Sequence, residues 1–480
     1  MAALTRSAQD PVPILLGAWA AGIALAPAVQ WKLALILAGI VIVLLAWIAR
    51  NPYAWTYVFF FSLFALPPLP IADGDSGLHI GPLVTGIGVI VGLVRLRNWH
   101  RFRGTLPRAF IFFVSMLLLS VGLAAFYSGM EIALGSLVRV LLFSLGVYVF
   151  AFALVAESGE AAPPFRFVKF LFYTATTAAA FACVDFYFQL PAPAEFGPQF
   201  VWLPEGVFRR AQGLFYEAST LGNFCAFFLV MILVSLFRPK VESPISRSML
   251  LIAGSIFGAA MIFSYSRGSI INLFAALLAF FWIRHRSDAG RIIRGYRKKG
   301  FMAVAVATVV AVIAVNTLFP SFATSYWTRI TTSFQYAAAA PDWILSGRLK
   351  SWGFLLDAIA QQPVIAVFGI GYKTLPYSTY LGSTVIADNT YLQLLVETGI
   401  IGLGAFLFLN AAIVRTGFLA AQSPKTNGRF FGEWIFCFWI GQMVQMLSGD
   451  LITYWRVLPA YFWVLAMAAR EVSLDENPDR

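Results

Sequence analysis

Apolar runs of about 17 to 25 residues recur along the whole chain, each long enough to cross a hydrocarbon core about 30 Å thick as a helix. A segment in lipid must satisfy its backbone N–H and C=O groups internally, which a helix does within one run. Hydrophobic residues make up 60% of the chain and charged residues 12%, against about 25% charged in a soluble domain. No polar stretch is long enough for a separate soluble domain. The expectation is therefore an all-α, polytopic helical membrane protein, one integral membrane domain over residues 1–480, with about fourteen spans. The candidates are 12–29, 32–49, 53–70, 79–96, 108–126, 132–156, 167–190, 217–237, 248–264, 268–284, 301–319, 389–413, 431–448 and 453–470.

Loop charges give the topology. The loops carrying Arg95, Arg97, Arg101, Arg103 and Arg108, then Arg238, Lys240 and Arg247, then Arg284 through Lys299, then Arg415, Lys425 and Arg429 alternate with loops poor in cations. Positive loops stay cytoplasmic, so both termini are expected in the cytoplasm. Arg6 precedes an apolar run from Val12 that leads into further spans, which reads as a retained first helix. The outer side then receives Asp73 and Asp75, the segment Pro191 to Tyr216, the turn at Ser266-Arg267, residues 320–388, and Gly449 to Tyr454. Residues 320–388 form the one large hydrophilic excursion, and loops of that length are usually functional. Within it, Gly347-Arg348 through Trp352 to Ile359 reads as a short amphipathic helix at the membrane surface.

Several chemistries drop out. The net charge of +12 resides in the topology-setting loops, so membrane lipids and not nucleic acid are the expected partners. Cys183, Cys225 and Cys437 lie in apolar runs and read as small buried hydrophobes. His79, His100 and His285 are scattered, so no metal-ligand spacing appears and no metal or cofactor is expected. There is no GxxxxGK[ST] pattern, and Gly86, Gly88, Gly92, Gly369 and Gly371 lack the strand-turn-helix context of a nucleotide site. Asp73-Gly74-Asp75 superficially matches the metal-binding aspartates of nucleotide-sugar transferases, but it lies outside, where nucleotide sugars are absent. An energised donor must then arrive through the membrane, and a lipid pyrophosphate is the obvious class.

Ionisable residues at a membrane boundary are costly unless paired or functional. Four outer places stand out: Arg209-Arg210 with Gln212 and Glu217; Ser266-Arg267-Gly268; Gly347-Arg348 with Trp352; and Asp388-Asn389-Thr390-Tyr391 opening a long apolar helix. A guanidinium binds phosphate oxygens bidentately and does not titrate away, so converging arginines suit a pyrophosphate. A lone arginine is as readily an anchor to lipid headgroups. Asp388 or Asn389 is the expected N-cap of the following helix. Asn389, Gln393 and Glu397 recur every four residues, so they share a helix face, and the plain role of Glu397 is an interhelical hydrogen bond.

In order along the chain, Arg210-Ala211-Gln212-Gly213-Leu214-Phe215-Tyr216-Glu217, Ser264-Tyr265-Ser266-Arg267-Gly268, Gly347-Arg348-Leu349-Lys350-Ser351-Trp352 with Pro363 and Phe368-Gly369-Ile370-Gly371, and Asp388-Asn389-Thr390-Tyr391-Leu392 to Glu397-Thr398-Gly399 resemble the O-antigen ligase/polymerase family, which includes Wzy-type polysaccharide polymerases. The resemblance covers roughly Arg209 to Phe406, and the first six spans carry no recognised motif. The family's closing motif commonly reads His-Asn, and here Asp388 stands in the histidine position.

The resemblance implies a metal-independent, inverting glycosyl transfer at the periplasmic face of a bacterial inner membrane, from a glycan on undecaprenyl pyrophosphate. Arg267 and Arg348 would neutralise the departing pyrophosphate, with Arg210 in support. Asp388, or less favourably Glu217, would take the proton of the attacking hydroxyl. Trp352, Tyr372 and Tyr391 would stack on sugars, and Asn389 and Glu397 complete the substrate-binding set. A chain-length regulator is a further expected partner. Two other readings stay open: a ligase that passes glycan to lipid A core or to protein, which the Asp388 departure disfavours, and a transporter of lipid-linked oligosaccharide, disfavoured by the absence of an internal repeat.

Overall fold

The structure, a computed structural model, describes residues 12–67, 79–156, 164–190, 198–203, 206–215, 217–239, 242–286, 313, 316–317, 320–335 and 347–476. The loop with Asp73 and Asp75, Arg6, Tyr216, Lys240 and nearly all of the candidate span 301–319 lie outside the described residues.

The chain is all-α and polytopic. Its helices are α1 (Val12–Leu25), α2 (Val29–Arg50), α3 (Ala54–Ala65), α4 (Ile80–Arg95), α5 (Thr105–Ser128), α6 (Met130–Val155) and α7 (Pro164–Phe188), then α8 (Ala218–Leu236), α9 (Arg247–Phe263), α10 (Arg267–Arg286) and α11 (Pro320–Gln335). After these come α12 (Arg348–Gln361), α13 (Pro363–Phe368), α14 (Thr390–Ala421), α15 (Thr426–Gln445) and α16 (Leu458–Glu476). Between α7 and α8 a hairpin pairs β1 (Phe200–Leu203) antiparallel to β2 (Gly206–Arg209), with Phe200 opposite Arg209.

Among the described residues, α2, α5, α6, α7, α8, α10 and α14 are long and apolar enough to cross a membrane, and α3, α4 and α9 are shorter apolar helices. Their outward faces are apolar as well: α2 exposes Leu37, Ile40 and Val41, α5 exposes Leu118 and Leu119, and α10 exposes Ile271, Phe274 and Leu278. Such contiguous apolar surface is unfavourable in water and suited to lipid.

Several span boundaries differ from expectation, three of them with a clear local cause or consequence. The run 53–70 is helical only to Ala65, because Pro67 and Pro68 remove N–H donors and force the preceding residue out of the α region. The run 453–470 becomes helical only at Leu458, after two short 3-10 turns. The run 389–413 continues to Ala421 but is interrupted at Gly399, where φ is 68° and ψ is −177°.

That interruption has a structural use. The carbonyls of Val396 and Glu397 accept hydrogen bonds from the N–H groups of Ile370 and Gly371 at 3.1 and 2.8 Å. The loop after α13 is thereby stitched to the middle of the helix. The approach requires glycine on both sides: a β-carbon at Gly399 would collide with the Val367 carbonyl, and one at Gly369, where φ is 78°, with that of Glu397.

At the centre, α15 packs against α8, α10, α14 and α16, while α14 also packs on α5 and α16 on α6. Buried amides join these helices. The Asn223 amide donates to Gln442 at 2.6 Å and Gln445 at 2.8 Å, Asn272 donates to Gln445 at 2.9 Å, and the Tyr461 hydroxyl donates to Asn223 at 2.6 Å. At one end of this bundle Arg284 pairs with Glu433 at 2.6 Å and Arg238 donates to the Thr426 carbonyl at 2.9 Å. These are residues of the basic loops, and the outer candidates gather at the opposite end.

Candidate functional site

Helices α8, α10, α12 and α14 all begin around one cavity of about 570 Å³. A helix N-terminus carries a partial positive charge. Arg267 and Arg348 are nevertheless the first residues of α10 and α12, where a cation adds nothing to helix stability. The described lining includes six cations (Arg139, Arg210, Arg267, Arg348, Lys373 and Arg456) and three carboxylates (Glu217, Asp388 and Asp450). The excess of positive charge and the helix ends together favour an anion.

Each arginine is placed by its own framework. Arg209 pairs with Asp185 on α7 at 3.1 Å, and Asp185 also accepts from the Gly213 N–H at 3.2 Å. That pair turns the adjacent Arg210 toward the cavity, where its Nε donates to the Ser264 carbonyl at 2.8 Å and the Ala211 N–H donates to the Phe263 carbonyl at 2.9 Å. The strand end is thus bound to the Ser264-Tyr265-Ser266 turn that presents Arg267. Within that turn Tyr265 takes a φ of 51°, and the Ser266 and Ser269 hydroxyls are 2.7 Å apart. Burial pushes the Arg210 pKa below its ordinary value, though a guanidinium stays charged. Arg348 pairs with Asp388 at 3.1 Å.

Glu217 occupies the N-cap position of α8 but makes no capping bond; instead it accepts from the Ser219 hydroxyl at 3.0 Å. Its side chain is open to the cavity, yet protein surrounds it on nearly every side, and the loss of bulk water raises its carboxyl above the usual range. The Lys373 and Arg210 charges oppose that rise and the Asp388 charge adds to it.

Of the residues singled out in the sequence, Arg210, Glu217, Arg267, Arg348, Asp388 and Tyr372 line the cavity. Trp352, Asn389, Tyr391 and Glu397 do not line it, and each is engaged elsewhere. The Trp352 indole donates to the Ala387 carbonyl at 2.7 Å and so ties α12 to the Asp388 loop. Asn389 caps α14, accepting from the N–H groups of Tyr391 and Leu392 at 3.1 Å. The Tyr391 hydroxyl donates to the Met443 carbonyl at 3.0 Å. Glu397 is fully buried and accepts from the Leu375 N–H at 3.2 Å and from Gln393 at 3.1 Å. Its partner is therefore a loop backbone and not, as expected, a second helix. The stripe Asn389-Gln393-Glu397 supports the site from behind.

Four charged lining residues, Arg139, Lys373, Asp450 and Arg456, carried no assigned role in the sequence. Lys373 is buried, takes a φ of 57°, and is ion-paired with Asp450 from the α15–α16 connection. Burial pushes its pKa down. Arg139, inside the apolar run of α6, donates to the Tyr377 hydroxyl at 2.6 Å; an arginine in a span is a signal that could have marked it. Arg456 is buried and donates to the Leu63 and Leu66 carbonyls at 3.1 Å, plugging the end of α3. Among the described residues no group of three or more His, Cys, Asp or Glu side chains stands together to hold a metal, and Cys183, Cys225 and Cys437 are free thiols.

No characterised protein matches the chain in sequence comparison. Residues 250–407, which bring Arg267, Arg348, Lys373 and Asp388 to this cavity, match the family model described as O-antigen ligase.

Proposed function

We propose that this chain polymerises lipid-linked oligosaccharide repeat units, transferring a growing glycan from undecaprenyl pyrophosphate to a sugar hydroxyl of the next unit. The family match supports O-antigen-ligase-type glycan transfer in a membrane. The observation that carries the reading is the convergence of Arg210, Arg267 and Arg348 with Glu217 on one cavity at the end of the bundle away from the basic loops. That end is taken as periplasmic on the charge of the opposite loops, with both termini cytoplasmic in a bacterial inner membrane.

The chemistry follows from the side chains. The acceptor oxygen forms a bond to the anomeric carbon as the bond from that carbon to the pyrophosphate oxygen breaks, with inversion. The electron pair leaves with undecaprenyl pyrophosphate, and the arginines stabilise the charge that develops there. The hydroxyl proton passes to a carboxylate. Glu217 is the better acceptor, because desolvation favours its protonated form while Asp388 is held by Arg348. Charge neutralisation by arginine lets the step run without a metal.

A ligase that passes glycan to lipid A core or to protein is the second reading, favoured by the description of the matching family. Reconstitution of the purified protein with its host's undecaprenyl-pyrophosphate-linked repeat units, in EDTA, separates the two. A ladder of lengthening chains is expected. Transfer only after lipid A core or a protein acceptor is added would make it a ligase, and no product with any acceptor would remove the glycosyl-transfer reading.

A further inference from the structure

The cavity has two chemically different walls. One is the arginine wall, in which Arg210 is bound to the turn that presents Arg267 and Arg348 leads α12. The other is built by the loop after α13 and the α15–α16 connection, and it carries Lys373, Asp450 and Tyr377, with Arg456 committed to the Leu63 and Leu66 carbonyls. A phosphate suits the first wall. The first wall has three guanidiniums to the one carboxylate of Asp388, whereas at the second the Lys373 ammonium and the Asp450 carboxylate offer hydrogen-bond donors and acceptors side by side.

The second wall is rigid. Its loop is stitched to α14 through Ile370 and Gly371, and Glu397 accepts from the Leu375 N–H behind it at 3.2 Å. The Thr374 hydroxyl donates to the Gly371 carbonyl at 2.8 Å, and the Ser128 and Ser378 hydroxyls are joined at 2.8 Å. Arg139 fixes Tyr377 twice, by the bond to its hydroxyl and by a guanidinium 4.5 Å from the ring centre. Lys373 is held in a left-handed backbone conformation that a lysine adopts only when its surroundings demand it. That much framework around an ion pair at a cavity wall points to a ligand more than to surface charge.

We infer that Lys373, Asp450 and Tyr377 form the subsite that seats the acceptor sugar, opposite the arginines that hold the donor's pyrophosphate; the inference rests on the glycan-transfer reading above. An ammonium beside a carboxylate matches neighbouring sugar hydroxyls, each of which both donates and accepts. The partly exposed ring of Tyr377 offers an apolar face to the sugar C–H groups. Glu217 lines the same cavity as Lys373 and Arg210, and both charges act on it. An inverting displacement brings the nucleophile in opposite the leaving group, so a proton-accepting carboxylate in the cavity that both walls share is what the step needs.

The test uses the full-length protein in liposomes, the host's lipid-linked donor, and the methyl glycoside of the host's repeat unit, which is blocked at its reducing end and can only accept. Lys373→Met and Asp450→Asn are expected to raise KM for the methyl glycoside at least tenfold while KM for the donor stays within twofold. Thermal melting in detergent separates folding loss from binding loss. A triple variant, Lys373→Met with Asp450→Leu and Glu397→Gln, removes the ion pair together with the buried carboxylate that also faces Lys373: recovery of normal acceptor KM in it would make the pair merely structural and overturn the subsite. Unchanged acceptor KM in both single variants, or equal rises for donor and acceptor, would overturn it as well. Wild-type protein that transfers nothing to any acceptor would instead sink the parent reading.

Discussion

The guanidinium of Arg348, first residue of α12, lies 3.1 Å from the carboxylate of Asp388, two residues before α14. Each side chain is thereby oriented by the other, and Trp352 reinforces the join by donating to the Ala387 carbonyl. Asp388 thus serves to position Arg348. Glu217 has no such ion pair among the described residues and is disfavoured in its charged form by burial.

The two carboxylates should separate on mutation. Glu217→Gln is expected to lower kcat by about 10²- to 10⁴-fold, the usual contribution of a general base. Asp388→Asn should cost less in kcat and show mainly as weaker donor binding, through misplacement of Arg348. Initial rates with donor titrated over a wide range decide it, and a larger kcat loss in Asp388→Asn would return the base role to Asp388.

The pH–rate profile should be bell-shaped and narrower than solution carboxylate and lysine values allow. Glu217 acts when deprotonated, and burial raises its pKa above the ordinary 4.5, so activity is lost as pH falls through that raised value. Lys373 serves when protonated, and burial lowers its pKa from the ordinary 10.5, so activity is lost as pH rises through that lowered value. The Glu217→Gln variant should lose the acid limb of its residual rate. Lys373→Arg should carry the alkaline limb upward; a limb that stays put assigns it to another group.

Removing either helix-leading arginine should stop chain growth while leaving the protein in the membrane. For Arg267→Ala and Arg348→Ala, a loss of about 10²- to 10³-fold each is expected from the magnitude of a single lost donor at a developing charge. Arg209→Ala should act differently, lowering the melting temperature first, because its partner Asp185 is inside the bundle. Product gels beside membrane immunoblots separate the two, and unchanged polymer length in both Arg267→Ala and Arg348→Ala would exclude the site.

The stitch between α14 and the loop after α13 should be intolerant of a single methyl group. Gly399→Ala and Gly369→Ala each meet a backbone carbonyl and an unfavourable φ, for an expected cost of more than about 2 kcal/mol. Gly404, further along the same helix, offers the contrast, since a β-carbon added there meets open space. Melting in detergent should place Gly404→Ala near wild type and the other two well below it.

Apolar run length declared the helices, because a lipid-exposed backbone has few ways to satisfy itself, and basic loops separated the ends because charge does not cross a membrane easily. A cap at Asp388 or Asn389 was legible, since capping is local, and the structure gives it to Asn389. The outer candidates Arg210, Glu217, Arg267, Arg348 and Asp388 were visible as ionisable residues at costly positions, and the structure places all five on one cavity. Glu397 shows where such reading ends. Helical spacing put it on a polar face, but what that face meets is the Leu375 backbone, delivered by a distant segment.

The sequence by itself therefore determined the helical class and the separation of the basic loops from the candidate site residues, both of which depend on short-range periodicity and on solvent. Only the tertiary structure decided the pairing of Lys373 with Asp450, of Arg348 with Asp388 and of Arg139 with Tyr377. These join residues far apart in sequence through helix packing and the kink at Gly399. Nothing local specifies a partner, and the energy that selects it appears only when the helices close around the site.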